Sequence, residues 1–350
     1  MNVKEKIIRK KPFETTTSKI VFILVALFLL LIFSLFSLFV GPSNMSIGEG
    51  FKALFYLSSE TNNKIIHQVR IPEILAGIIA GAGLSLSGLI MQTVLKNPLA
   101  SPSTLGVSNA AVFGANIAII GISGGVLSAN INPFATSSIA LVISLISVVL
   151  ILGLSSLKSF SPGTVVLGGI AIGTIWTALT TILQFYATDT GLSSAVIWSF
   201  GDLSRATNLT NIISGSIVLA GAIFFFALSW KFNTLLSGDE IAKANGINVK
   251  VLRLISLFVA SLITSVIVSF VGIIGFIGII CPHIMKRILG SDHRFLIPSS
   301  FLSGSILLVL ASTLSRAIGN GNALPVGAIT SILGVPFFLF IIFSKKEQKL

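Results

Sequence analysis

Acidic side chains are scarce in this chain: 11 Asp and Glu stand among 350 residues. None falls in the middle of a long apolar run, and Glu73 and Asp189 lie near run ends. A carboxylate for coupling to an ion gradient is therefore hard to place inside such a run, as is the His and acid constellation of a membrane-embedded enzyme. Cysteine is almost missing. Cys281 is the single one, so no intrachain disulfide and no cysteine-built metal site can form, and its apolar neighbours read as inert packing. Of three histidines, His283 has no second histidine or acid at ligand spacing on its own helix, which favours a satisfied side chain in a helix turn over a metal ligand. A Gly-Lys dipeptide occurs nowhere, which excludes a Walker A loop. Neither a cofactor nor a metal is expected.

What the chain has is apolar length. Hydrophobic residues make up 53% against 10% charged, with a mean hydropathy of +1.00. About 20 such residues suffice to cross a hydrocarbon core, so the composition describes an all-α, polytopic integral membrane protein. Breaks at polar, proline and glycine clusters give ten spans, at 20–40, 73–95, 103–121, 134–154, 163–187, 210–230, 251–271, 273–289, 296–317 and 326–343. Between the seventh and eighth, Gly272-Ile273-Ile274-Gly275 leaves little room for a solvated loop, so the chain makes a tight reversal or a re-entrant approach.

The formal charge of +12 suggests nucleic acid only if its location is ignored. Lys4, Lys6, Arg9, Lys10 and Lys11 precede the first span and Lys345, Lys346 and Lys349 follow the last, which by the positive-inside rule puts both termini in the cytoplasm and requires an even number of spans. The inner connections then hold Lys96, Lys158, Lys231 to Arg253 and Lys286 to Arg294. Lys52, Lys64, Arg70, Arg205 and Arg316 fall outside, five of 23 Lys and Arg. The apolar run at 20–40 is too long for a signal-peptide core and reads as an uncleaved anchor.

The second span carries Gly77, Gly81, Gly83 and Gly88, spacing that suits close helix contact. Gln92 is a rare polar side chain near its inner end and a candidate for lining a pathway. Pro98 and Pro102 break the helix after Lys96. Asn109 and Asn116 on the third span are further pathway candidates, with interhelical hydrogen bonding as the alternative. The segment Leu235 to Lys250 is too polar to span. It reads as a short inner helix, with Asp239 and Glu240 at its start and Gly246 at its stop. From Gly272 to Pro298 a glycine-rich run meets Pro282-His283, Lys286-Arg287 and Asp292-His293-Arg294; the proline frees a backbone carbonyl, and the last trio reads as a local capping and charge cluster.

Several of these elements together resemble the FecCD permease family. They are Arg70-Ile71-Pro72, Asn97-Pro98-Leu99-Ala100, Leu105-Gly106-Val107-Ser108, Gly275-Phe276-Ile277-Gly278, Pro282-His283, Asp292-His293-Arg294 and Leu324-Pro325-Val326-Gly327, in family order from about residue 70 onward. The resemblance implies the ten-helix, BtuC-like permease fold of a type II ATP-binding-cassette importer for iron-siderophores, haem or cobalamin. It also implies a second permease copy or paralogue, cytoplasmic ATP-binding subunits and an extracytoplasmic substrate-binding protein, in the cell membrane and without nucleic acid. In that frame residues 1–19 are a cytoplasmic segment, 20–344 a single transmembrane permease domain with a coupling segment at about 234–250, and 345–350 a cytoplasmic tail.

The same resemblance assigns ATPase coupling to Asp239, Glu240, Ala242 and Gly246, and binding-protein docking to Arg70 and Arg316. Two positions depart from the family pattern: Glu73 replaces a second arginine, and Ala323 replaces a glutamate before Leu324-Pro325. The expected function is import of a ferric siderophore or similar iron chelate by alternating access, with ATP hydrolysis on a partner. The alternatives are haem or cobalamin as cargo, or an ion-coupled secondary transporter.

Overall fold

The computed structural model describes residues 15–41, 45–122, 133–157, 161–318 and 324–343. Lys158, Ala323 and the basic clusters at Lys4–Lys11 and Lys345–Lys349 lie outside them. The helices are α1 (Thr16–Phe39), α2 (Ile47–Leu54), α3 (Glu60–Lys64), α4 (Ile71–Val94), α5 (Val107–Asn116), α6 (Pro133–Leu157), α7 (Pro162–Phe185) and α8 (Asp189–Ser199). They continue with α9 (Asn208–Ala227), α10 (Ser229–Leu236), α11 (Asp239–Ala244), α12 (Val249–Val271), α13 (Ile277–Leu289), α14 (His293–Ile318) and α15 (Val326–Phe343). Seven helical stretches are long and apolar enough to cross a membrane, and shorter apolar helices occupy Val107–Ile122 and Val326–Pro336. Each of the ten expected spans holds a helix. The short helices α2, α3 and α8 lie at one end of the bundle and α10 and α11 at the other, because the long helices alternate in direction.

Local chemistry sets the boundaries. Ser46 and Glu49 form a reciprocal capping box on α2, Ser161 caps α7 ahead of Pro162, and Asn248 caps α12. After α4 the chain stops as the two prolines require, with Lys96 in the left-handed region and the Asn97 side chain accepting from the Leu99 amide at 2.9 Å.

The core is built around α4, the most buried span, against which α14, α12, α13 and α9 pack. Glycine makes the approach possible. At Gly81 a Cβ would collide with the backbone of Gly304, and at Gly88 with that of Gly278, so α14 and α13 both cross α4 at backbone contact. By contrast α1 packs mainly on α14 and leaves most of its surface exposed and apolar.

The reversal between α12 and α13 is tight and non-helical. Gly272 takes φ +78° and Phe276 φ +67°, and Ile273 forms an isolated parallel bridge with Phe200. The amide of Asp202 donates to Val271 O and that of Val326 to Gly201 O, both at 2.8 Å. Backbone groups freed where α8, α12 and α15 terminate are thus paired with one another, as a segment shielded from water requires.

Candidate functional site

At the α10–α11 end, Gly238 (φ +124°) turns the chain so that Asp239 faces back into the protein. Its Oδ1 lies 2.7 Å from Lys96 Nζ and 2.9 Å from Arg253 Nη2, while Arg253 Nε donates to Val94 O at 2.9 Å. One carboxylate thus joins α11, the end of α4 and the start of α12. Burial pushes this carboxyl up, but hydrogen bonds and charges from Lys96 and Arg253 outweigh it and hold the group below the ordinary carboxylate value. Ala242 is fully buried beneath the same helix. Glu240, Ile241, Lys243, Ala244 and Asn245 are exposed, and Gly246 closes the helix at φ +77° with open space around its Cα. The four coupling candidates therefore divide: Asp239 and Ala242 brace the segment, and Glu240 and Gly246 are displayed by it.

Next to this brace, Asn233 on α10 accepts from the His293 amide at 2.8 Å and donates to Asp292 Oδ1 at 2.8 Å. The buried His293 ring lies between Asn233 Oδ1 (2.9 Å) and Thr93 Oγ1 (2.8 Å), which ties α10 and α14 to α4. Asp292 also accepts from Arg294; these bonds and that of Asn233 overcome the opposing effect of burial and hold its carboxyl at about 2. The trio is the capping and charge cluster its sequence describes. Asn233, its partner, is unmarked in sequence because the contact spans 60 residues.

The three pathway candidates all make interhelical contacts. Gln92 Nε2 donates to Gly278 O at 2.9 Å. Asn109 Nδ2 donates to Gly173 O (3.2 Å) and Thr177 Oγ1 (3.0 Å), and Asn116 Oδ1 accepts from Gln184 Nε2 at 3.1 Å. The last two pairs form a polar seam between α5 and α7. Asn116 is buried, Asn109 and Gln184 are half-buried, and Thr174, Thr177 and Thr181 bring exposed hydroxyls to the same stretch of α7. Gln184 was detectable as an amide inside an apolar run.

At the opposite end, Arg70 and Arg316 are 4% and 8% exposed. Arg70 Nη1 donates to Leu38 O (2.7 Å) and Val40 O (2.8 Å), closing the end of α1. Arg316 Nη2 donates to Ser37 Oγ (2.6 Å), and its Nη1 lies 3.4 Å from Glu73 Oε2. Ser312 Oγ donates to the other Glu73 oxygen at 2.5 Å. Both arginines serve the junction of α1, α4 and α14, and Glu73, the departure from the family pattern, is the counter-charge of one of them. Also at this end, Arg205 donates to Trp198 O and Ile197 O, capping α8, and borders a cavity of about 400 Å³ with Trp198, Ser137 and Phe134. Among the described residues no group of three or more His, Cys, Asp or Glu gathers to hold a metal ion.

The model of the FecCD transport family matches residues 29–344. The chain belongs to the FecCD transport family. It is 41% identical over 332 residues to an ABC transporter permease protein of Methanocaldococcus jannaschii, covering 93% of this chain and 95% of that protein. The hemin transport system permease of Yersinia pestis is 32% identical, covering 92% and 96%. A solved structure described as an inward-facing conformation of a metal-chelate type ABC transporter superposes with a TM-score of 0.81 at 26% identity, over 93% of this chain and 99% of that one. This FecCD-family chain is thus a multi-pass membrane permease of an ABC importer, and permeases of the family work with an ATPase carried on a separate subunit.

Proposed function

We propose that this permease carries a ferric siderophore or a similar iron chelate across the cytoplasmic membrane by alternating access, with both chain termini in the cytoplasm. The observation that carries the choice is the α5–α7 seam. The half-buried amides of Asn109 and Gln184 are costly against lipid, and with the hydroxyls of Thr174, Thr177 and Thr181, each donating to a carbonyl of its own helix, they fit a water-filled path for an oxygen-rich cargo. A second permease copy or a paralogue closes that path opposite the seam. The structural neighbour described as metal-chelate type supports the same cargo class, and the hemin relative makes haem the competing one.

In this reading Glu240, Gly246 and the exposed face of α11 meet the ATPase, while Asp239 passes its motion to α4 and α12 through Lys96 and Arg253. An extracytoplasmic binding protein docks on the end formed by α2, α3 and α8. Arg70 and Arg316 serve docking from beneath, by fixing the end of α1 under that surface. An ion-coupled mechanism finds less support, since Glu73 is already matched by Arg316 and Ser312.

The test is uptake of labelled ferric chelates, haem and cobalamin by vesicles holding the permease with its ATPase and binding protein. ATP-dependent uptake of a ferric chelate, reduced by Asn109→Leu with Thr177→Val, is expected. Uptake of haem or cobalamin alone would overturn the cargo, and uptake driven by an ion gradient without ATP would overturn the class.

A further inference from the structure

A second cavity, of about 470 Å³, lies among α1, α13, α14 and α15, away from the α5–α7 seam. Its wall is made of Phe22, Val25 and Leu29 from α1, Ile284 from α13, Leu310 from α14 and Leu333 from α15. Three hydroxyls reach it, and each is already satisfied within its own helix: Ser299 donates to Phe295 O (2.6 Å), Ser303 to Ser300 O (3.1 Å) and Thr330 to Gly327 O (3.0 Å). Among the described residues the groove offers no charge and, beyond the weakly polar thiol of Cys281, no free donor, so it suits neither water nor a polar solute.

One helical turn beyond the lining residues of α1 and α13, toward the α10–α11 end, the chemistry is the opposite. Lys19 lies one turn before Phe22 on the same face of α1, and its Nζ is held 5.1 Å over the Phe295 ring. Arg287 lies one turn beyond Ile284 on α13 and is exposed. Among the described residues neither cation has a carboxylate within ion-pair distance, whereas the neighbouring Arg294 is neutralised by Asp292 at 2.7 Å. Along α14 the wall runs from Ser299 to Leu310, about 16 Å at the helical rise, which is about the depth of one leaflet. An apolar slot of leaflet depth, ending beside two cations that have no carboxylate partner among the described residues, is complementary to a molecule with an acyl tail and an anionic head.

We propose that this groove binds an anionic phospholipid of the leaflet at the α10–α11 end, with one acyl chain between α1 and α13–α15 and its phosphate against Lys19 and Arg287. A helix of a second copy would answer the apolar wall but not the two cations. Because α13 carries the Gly278 contact with α4, and α1 is otherwise held mainly by α14, a lipid here fills the space between the most peripheral helix and the core.

The test uses the full-length permease in nanodiscs containing phosphatidylglycerol or phosphatidylcholine with a photoactivatable group midway along one acyl chain. Phosphatidylglycerol is expected to label the Ile284 and Ser303 region at least about fivefold above phosphatidylcholine, an energy difference of about 1 kcal/mol. Lys19→Gln with Arg287→Gln should remove that preference, and Val25→Trp should lower labelling by both lipids, each with an unchanged melting temperature. Equal labelling of the unsubstituted protein by the two lipids would overturn the proposal. So would labelling of the exposed α6 face around Val142 and Val149 as strong as that of the groove, or a photoreactive residue at Val25 linking to a second copy instead of to lipid.

Discussion

Gln92 and Gly278 meet where the chain has removed its own donor: Gln92 Nε2 donates at 2.9 Å to a carbonyl whose normal helical partner would be the amide of residue 282, a proline. The same carbonyl lies against Gly88, so α4 and α13 touch through backbone with the amide of Gln92 beside the contact. Gln92→Leu is therefore expected to cost about 1–3 kcal/mol, the penalty of a buried unsatisfied carbonyl. In a Pro282→Ala background the amide at 282 can take over, and the same substitution should be nearly neutral. Denaturant titration of the four proteins in detergent measures the coupling; equal costs in both backgrounds would show that Gln92 acts elsewhere.

Glu73 and Arg316 form the buried ion pair of the opposite end, each side chain 7% exposed. The contact is one of charge, since Nη1 has no acceptor in hydrogen-bond geometry. Glu73→Gln should cost about 3 kcal/mol by leaving a buried guanidinium without a counter-charge. Glu73→Leu with Arg316→Met should recover most of it. If charge reversal at Arg316 instead leaves the melting temperature intact and abolishes binding-protein association at low salt, the arginine meets the partner directly.

Seven of the ten expected spans were legible as long apolar runs closed by proline, glycine or charge, and that signal is local; the third, eighth and tenth hold shorter helices. The α12–α13 junction stayed ambiguous, since a short glycine-spaced run does not say whether its backbone meets water or, as here, Phe200 and Gly201. Pro282 announced a free carbonyl and Gln92 a misplaced amide, yet nothing in the sequence joined two residues 190 positions apart. Glu73 read as a defect in a docking pattern until Arg316 was placed beside it. Asp239 and Ala242 could not be separated from Glu240 and Gly246 by spacing, because on a helix of six residues only tertiary packing decides which side is buried.

Asp292 gives the cluster at the start of α14 a pH dependence. Its folded value of about 2 lies below the unfolded carboxylate value of about 3.9. The stabilisation it contributes is therefore fully present above the unfolded value and is lost as pH falls toward 2. Asp292→Asn should be less stable than the parent at pH 6, with the gap closing between about pH 4 and 2. Unfolding in detergent across that range checks it, and a gap that persists at pH 2 would assign the effect to the shape of the cap instead of to its charge.

In the proposed coupling segment the buried and exposed residues imply a bracing role and a contact role, and the two fail differently. Glu240 is exposed and makes no ion pair among the described residues, so Glu240→Lys should leave the fold unchanged and weaken association with the ATPase. Gly246→Val forces a β-branched residue to φ +77° in open space, which strains the turn without any collision. Either change is expected to reduce ATP-driven uptake about tenfold, equivalent to about 1.4 kcal/mol of lost coupling, at normal membrane insertion. Asp239→Asn keeps the displayed face but weakens the tie to Lys96 and Arg253. It should leave ATPase binding near normal and uncouple hydrolysis from uptake, because the lever is still grasped while its link to α4 and α12 is slack. Binding, hydrolysis and uptake measured together on the three variants distinguish these outcomes; parallel loss of all three in Asp239→Asn would mean that the carboxylate shapes the contact surface itself.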